Sequence, residues 1–186
     1  MGRKPLIKVG DVFKIPLSNN KFAYGQFVYE DKKRGDILRV FDKQTKGAAE
    51  QLNIADIDSS KLQFPPIYAS MWWAVKEHGW EVIGTLPVDD YTFKGFLYHM
   101  AVPGYYPDGG GKVKEWSLWD GEKYIDLGEK LPDKYLDYED TGILPADLVV
   151  QRIETGFDSL EYPKKYNRYI TRDELKAKYP KVKIDN

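Results

Sequence analysis

Alternating apolar and polar residues indicate a series of β-strands in the first forty residues of the chain. In "GDVFKIPL" (10–17), Phe13, Ile15 and Leu17 fall on one face, which is the period of a strand. The polar turn "SNNK" leads into "FAYGQFVYE", and a second turn, "DKKRGD", precedes "ILRVF". Asn and Ser suit such turns because Asn tolerates a positive φ. The pattern predicts a three-stranded antiparallel meander.

Two residues inside these predicted strands indicate local irregularity. Pro16 has no N–H to donate, so we expect it at a sheet edge or at a bulge. Gly25 indicates a bend or the close approach of another backbone. A kink at this glycine would help the meander to curl.

The middle of the chain has apolar runs with a weaker period. Residues 67–75, within "QFPPIYASMWWAVK", are apolar on both faces, which predicts a central strand buried on both sides, with a helix as the alternative. "WEVIG" (80–84) and "FKGFLYHM" (93–100) predict further strands. A short helix is expected near Ala48–Leu52.

The later part of the chain contains clearer signals for turns and for helix ends. "VKEWSLWDGEKYIDLG" (113–128) predicts a hairpin around its Asp-Gly turn, after a glycine-rich loop, "PGYYPDGGGK". "LPADLVVQRIETG" (144–156) predicts a helix that Gly156 ends. "TRDELKAKY" predicts a last helix, because Thr171 and Glu174 have the spacing of a capping box.

Strands come first in this order of elements, and helices mainly come late. The sequence therefore predicts an α+β fold with a mainly antiparallel, strongly curled β-sheet and one or two late helices. We expect a single domain over residues 1–186. Its first part, 1–90, is β-rich, and its second part, 91–186, holds the β-hairpin, an acidic segment and the C-terminal helices.

Composition excludes several kinds of chemistry. The chain has no Cys, so disulfides and thiol nucleophiles are excluded. His78 and His99 belong to no zinc motif, and no nucleophile or phosphate-loop motif is present. We therefore predict no catalytic residue, no metal and no cofactor; an enzyme that uses paired carboxylates is the remaining alternative. The opening lacks the apolar stretch of a signal peptide, and no run is long enough to span a membrane, so we expect a cytoplasmic protein without a membrane partner.

Charge is unevenly distributed although the net charge is only −1. Residues 115–161 hold 13 Asp/Glu and 4 Lys/Arg, a local net charge of −9. Such a block is either a solvated face or a surface for a basic partner, and tyrosines among carboxylates can anchor that partner. The candidate partner-binding residues are Asp133, Tyr135, Asp137, Tyr138, Glu139 and Asp140.

A nucleic-acid-binding, β-barrel-like module is the alternative function. A curled meander with exposed aromatic rings and several cations could follow a phosphate backbone. The overall acidity of the chain disfavours nucleic acid as a partner. The cations in question are Lys14, Lys21, Lys32, Lys33 and Arg34.

Two stretches resemble one protein family. "VGDVFKIPLSNNKFAYGQFV" (9–28) and "GWEVIGTLPVDD" (79–90) are similar to the immunity protein 26 family of bacterial polymorphic toxin systems. The resemblance covers roughly the first half of the chain. It implies a cytoplasmic antitoxin that binds one cognate toxin domain and blocks its active site, without catalytic residues or a cofactor. The acidic block would suit a toxin with a basic active-site cleft.

Overall fold

The computed structural model describes residues 6–47, 52–58, 62–88, 98–103, 111–119, 123–158 and 161–181. Within these ranges the chain forms nine strands and five α-helices. The strands are β1 (Asp11–Pro16), β2 (Lys21–Asp31), β3 (Gly35–Lys46), β4 (Ile67–Ala69), β5 (Glu81–Thr85), β6 (Tyr98–Pro103), β7 (Gly111–Trp119), β8 (Tyr124–Gly128) and β9 (Arg168–Tyr169). The helices are α1 (Ile54–Asp58), α2 (Met71–Glu77), α3 (Ala146–Thr155), α4 (Glu161–Tyr166) and α5 (Arg172–Lys178).

The first sheet has five antiparallel strands in the order β4-β3-β2-β1-β5. Its centre is the predicted meander, which the structure confirms. Asn19 and Asn20, in the first turn, have φ values of 57° and 56°, the left-handed conformation that asparagine tolerates.

Pro16 and Gly25 take the positions that their chemistry requires. Pro16 ends β1 and lies beyond Lys14, the last residue of β1 that pairs with β5, so no strand needs its missing N–H on that side. Gly25 faces the backbone of β3, where an added Cβ would lie 3.1 Å from the Arg39 carbonyl oxygen and 2.9 Å from Leu38 Cδ1. The predicted close approach at Gly25 is therefore confirmed.

Apolar side chains cover both faces of the first sheet. On one face, Phe13, Ile15 and other core residues of the sheet pack against α2 and α3. On the other face, Val12 and Tyr24 form a second cluster with Ile57 of α1. Helices cover both sides of the sheet. The alternating residues of a strand therefore point into two different apolar clusters.

The second sheet joins β6, β7 and β8 in antiparallel order, and β9 pairs with the start of β7. The β7–β8 pairing confirms the hairpin prediction, while its turn, 120–122, lies outside the described residues, as do residues 104–110 of the predicted glycine-rich loop. Val113 and Trp116 form the core of this sheet with Leu127 and Leu131.

Several predictions need correction. The strand predicted over 67–75 is wrong: β4 covers only Ile67–Ala69, lies at the sheet edge, and is followed by helix α2. A run that is apolar on every face cannot separate a buried strand from a buried helix, because both lack a polar side. Of the helix predicted near Ala48–Leu52, residues 48–51 lie outside the described part, and α1 begins only at Ile54.

The fold class is α+β, with a mainly antiparallel five-stranded sheet and late helices, as predicted. The prediction of one strongly curled sheet is wrong, because the described strands form two sheets and neither is strongly curled or closed. The pairing register of the first sheet shifts at Val12/Phe13, Ala23/Gly25 and Phe27/Tyr29.

The structure confirms the predicted end of α3 and the predicted start of α5. Gly156 follows α3 with a φ of 71°, the left-handed conformation that glycine adopts without steric cost. Thr171 and Glu174 form both hydrogen bonds of a capping box at the start of α5. Helix α4 was not predicted, because its sequence "EYPKKY" contains a proline and lacks an apolar period.

Candidate functional site

The predicted partner-binding residues lie in one segment, residues 133–140, which we call the acidic segment. It connects β8 to α3 and begins with a single 3₁₀ turn, Asp133–Tyr135. The Tyr138 amide donates to the Tyr135 carbonyl over 3.1 Å, which brings the two tyrosine rings to 5.3 Å between centroids. Lys134 Nζ lies 4.6 Å from the centre of the Tyr135 ring. The turn therefore holds two aromatic rings and a cation together.

The six predicted residues divide into an outer and an inner group. Asp133 and Asp137 are exposed, and Tyr135 and Tyr138 are half-buried beside them. Glu139, by contrast, is only 7% exposed. Asp140 is half-buried. The outer group, Asp133, Tyr135, Asp137 and Tyr138, can contact another protein. The inner group, Glu139 and Asp140, lines a cavity beside α3.

Glu139 forms a buried, two-pronged ion pair with Arg152 of α3. The guanidinium donates to both carboxylate oxygens, over 2.9 and 2.7 Å, and it also lies 4.4 Å from the centre of the Phe64 ring. Paired hydrogen bonds of this kind fix orientation as well as distance. The ion pair therefore fastens the acidic segment to α3, and the negative charge of Glu139 is compensated inside the protein.

Asp140 occupies an environment that opposes its ionisation. Burial raises the pKa of its carboxyl group above the usual value, and the nearby charges of Asp158 and Glu139 add to the increase. Hydrogen bonds from the Gly142 and Thr141 amides act in the opposite direction but do not cancel the increase. The carboxyl group of Asp140 therefore stays protonated to a higher pH than that of an exposed aspartate.

The two sheets meet at Asp31, which sequence reasoning missed. One carboxylate oxygen accepts from the Tyr68 hydroxyl over 2.8 Å and from the Trp119 indole over 3.0 Å; the other accepts from the Lys33 and Arg34 amides. Burial alone would raise the pKa of Asp31, but these four hydrogen bonds outweigh it and hold the pKa below its usual value. Asp31 therefore links β2, β4 and β7, and we call this set of hydrogen bonds the Asp31 joint.

Three of the five cations proposed for nucleic-acid binding have partners within the molecule. Lys33 Nζ and Arg34 Cζ lie 5.4 and 5.5 Å from the centre of the Trp119 ring, beside the Asp31 joint. Lys14 Nζ lies 4.0 Å from the centre of the Phe22 ring and 4.0 Å from the Glu81 carboxylate. These contacts use the three cations to pack the fold, so they do not favour a nucleic-acid surface.

A groove of about 650 Å³ lies between the β1–β2 turn, the α2–β5 connection and α3; we call it the α3 groove. Leu17 and Ser18 line it from the turn, His78 and Trp80 from the connection, and Gln151 from α3. No local pattern in the chain predicts this groove, because its walls come from three segments that are far apart in sequence.

Metal chemistry has no visible basis in the described part of the chain. No group of three or more His, Asp or Glu side chains there is arranged to hold a metal ion. His78 is exposed after the last turn of α2, and His99 lies in β6, whose side chains are not described. No helix within the described ranges is long and apolar enough to span a membrane.

Comparison with known proteins gives one positive result. A family model described as Immunity protein 26 matches residues 8–100, which covers β1 to β5, half of the 186 residues. No curated protein and no solved structure matches the chain. Both stretches that resemble this family, 9–28 and 79–90, lie within the matched range. The chain therefore belongs to the immunity protein 26 family.

Proposed function

We propose that this chain is a cytoplasmic bacterial immunity protein that binds the toxin domain of a polymorphic toxin system and blocks its active site. The observation that carries the proposal is the family match over residues 8–100. An immunity role in a toxin system is what this family implies. The compartment, the toxin system and the mode of neutralisation are the parts that we add.

The outer group of the acidic segment is the proposed contact surface. Asp133 and Asp137 present two exposed carboxylates, and Tyr135 and Tyr138 add two half-buried rings that contact each other. Tyrosine suits an interface because its ring buries apolar area while its hydroxyl group keeps a polar contact. Four neighbouring side chains thus combine charge with aromatic area.

The buried ion pair between Glu139 and Arg152 supports the same proposal. It fixes the acidic segment on α3 before any partner arrives. A surface that is already ordered loses less conformational entropy on binding than a mobile loop does. We therefore assign Glu139 to positioning the outer group, not to direct contact with the toxin.

Electrostatics supplies the proposed mechanism. Toxins that cut nucleic acids need a positively charged cleft, and a surface of opposite charge steers onto such a cleft and increases the association rate. Residues 115–161 carry a net charge of −9, so the field around the acidic segment is negative. The inhibitor would thus occupy the cleft where the phosphate groups of the substrate bind.

Charge reversal tests this surface. The double variant Asp133→Lys/Asp137→Lys should reduce the association rate with the toxin domain encoded beside this gene roughly 10-fold at low salt. The difference should shrink at high salt, because ions screen exposed charges. Stopped-flow or surface-plasmon-resonance kinetics on a catalytically inactive toxin domain measures both effects.

A matched control separates position from net charge. Glu30→Lys/Asp42→Lys changes the net charge of the chain by the same amount at two exposed residues outside the acidic block of residues 115–161. We expect it to change the association rate less than about 3-fold, since its charges lie outside the proposed contact. Equal rates for the two double variants would contradict the acidic surface, and no binding by the unmodified protein would contradict the proposed function.

A further inference from the structure

The α3 groove has an apolar floor and a mixed rim. Leu17, Val150 and Ile153 contribute apolar side chains, and the walls are formed by the turn after β1 and by α3. The Ser18 amide donates to the Glu154 carboxylate over 2.5 Å, which ties the turn to α3 at one side of the groove. A volume of about 650 Å³ is large enough to hold several residues of another chain.

Two side chains that line this groove carry buried N–H groups without acceptors in the described part of the chain. Trp80 Nε1 and Gln151 Nε2 are buried and have no hydrogen-bond partner within the described residues, although both side chains line the groove. Trp80 is only 2% exposed. A buried donor without an acceptor lowers the stability of the fold. A ligand that displaces these side chains enough to reach the two donors, and that supplies two acceptor oxygens, would satisfy both.

The charges on the rim indicate that the ligand is neutral. Lys21 and Lys181 contribute two positive charges, and Asp147 and Glu154 contribute two negative charges. An ionic ligand would meet a repulsive charge along with each attractive one. Two donors, an apolar floor and a balanced rim together fit the carbonyl oxygens of an uncharged, extended peptide segment.

The groove lies next to the proposed contact surface. Leu148 of α3 lines the α3 groove and also a cavity of about 100 Å³ on the other side of the helix, which Glu139, Asp140 and Arg152 line. Helix α3 thus separates the groove from the acidic segment. One partner could contact both sides of this helix.

We propose that the α3 groove receives an uncharged loop of the toxin domain, whose backbone carbonyl oxygens accept hydrogen bonds from Trp80 Nε1 and Gln151 Nε2. This inference rests on the proposed function, since it takes the toxin as the occupant. It adds a specificity-determining contact to the charged one: the acidic segment attracts a basic cleft, and the groove recognises the shape of a neighbouring loop.

The test replaces a donor without changing its size. Gln151→Met keeps the length of the side chain and removes the N–H, so the toxin affinity should fall roughly 10-fold through the loss of one hydrogen bond. The melting temperature of the unbound variant should stay the same or rise, because a donor without an acceptor is removed. Calorimetric titration with the inactive toxin domain and thermal unfolding of the free protein measure the two quantities.

Two further variants complete the design. Gln44→Met makes the same substitution at an exposed position on the rim, and we expect it to change the affinity less than about 2-fold. Ser18→Trp places a large ring at the exposed mouth of the groove, and we expect it to weaken binding roughly 100-fold by exclusion.

The outcomes separate this inference from the proposed function. If the unmodified protein binds the toxin but Gln151→Met or Ser18→Trp binds equally well, the groove is not the site, and the proposed function stands. A parallel loss of stability and affinity in Gln151→Met would show a structural role and overturn the inference. Self-association that Ser18→Trp abolishes would identify a second copy as the occupant and also overturn it. No binding by the unmodified protein would remove the proposed function and this inference together.

Discussion

The family-matched region, residues 8–100, and the C-terminal region, residues 111–181, are held together by different forces. In the first, the buried Gln26 amide joins neighbouring segments of the sheet: it donates to the Gly10 and Leu86 carbonyls and accepts from Arg39 Nε. In the second, ion pairs connect elements, as Arg152 does with Glu139 and Arg168 with Glu174. A packed sheet thus dominates the first region, whereas ion pairs connect the elements within the second.

The difference shows which parts of the protein depend on the family-matched sheet. The core of the first sheet is incomplete within the matched range, because Ala146, Val149 and Ile153 of α3 belong to the same apolar cluster. The Asp31 joint adds Trp119 from the second sheet. The proposed binding surface therefore belongs to the C-terminal region, but its position is set by contacts with the family-matched one.

Removing the C-terminal region should have the largest effect. A fragment of residues 1–103 loses the side chains of Val149 and Ile153, which together contribute roughly 3–6 kcal/mol by burial, out of a typical total of about 5–15 kcal/mol. We expect the fragment to show no cooperative unfolding transition in urea, monitored by circular dichroism. A fragment of residues 1–170, which lacks only residues 171–186, is the control and should unfold cooperatively. A cooperative 1–103 fragment would show that the two regions are independent.

Neutralising the joint between the sheets should have an intermediate effect. Asp31→Asn keeps the size of the side chain but weakens four hydrogen bonds to a charged acceptor, and we expect it to lower the free energy of unfolding by about 2–3 kcal/mol at pH 7. Glu30→Gln, at the exposed neighbouring residue, should change it by less than about 0.5 kcal/mol. Urea unfolding measures both.

The sign of the pH dependence follows from the lowered pKa of Asp31. A carboxyl group with a lower pKa in the folded state stabilises the fold fully above its unfolded value of about 3.9, and this contribution is lost as the pH falls through the folded value. The difference between the unmodified protein and Asp31→Asn should therefore narrow below about pH 4. A difference that stays constant down to about pH 2 would contradict the assigned role of the carboxylate.

The smallest effect is expected at α5, at the end of the C-terminal region. Hydrogen bonds from Arg168 and from the Thr171 amide and hydroxyl lower the pKa of Glu174 to about 2. The ionised form that stabilises the capping box is therefore present at neutral pH and lost only as the pH falls through about 2. Thr171→Ala should cost about 1 kcal/mol locally, seen as faster amide exchange in α5. Slower folding or a changed global unfolding midpoint would contradict a purely local role.

Sequence reasoning succeeded where the local pattern is also the physical cause. The meander follows from alternation along β1, β2 and β3, because each face packs against a separate cluster. The end of α3 and the start of α5 follow from Gly156 and Thr171, which satisfy backbone groups within a few residues. Such signals need no knowledge of distant parts of the chain.

Sequence reasoning failed where a contact between distant segments determines the local structure. Helix α2 could not be separated from a strand, because its apolar residues are buried by partners that the local sequence does not name. Glu139 was grouped with exposed acids, yet Arg152 compensates its charge from α3. The α3 groove and the Asp31 joint combine residues from both regions, so neither leaves a pattern in any one stretch.

Hydrogen exchange of this protein with and without the inactive toxin domain tests the central claim most directly. We predict that the toxin slows amide exchange in the acidic segment, residues 133–140, and leaves the β8 strand, Tyr124–Gly128, unchanged. The protected amides should lose their protection in the Asp133→Lys/Asp137→Lys variant at the same toxin concentration. Protection confined to other parts of the surface would contradict the acidic contact, and no protection at saturating toxin would contradict the immunity function itself.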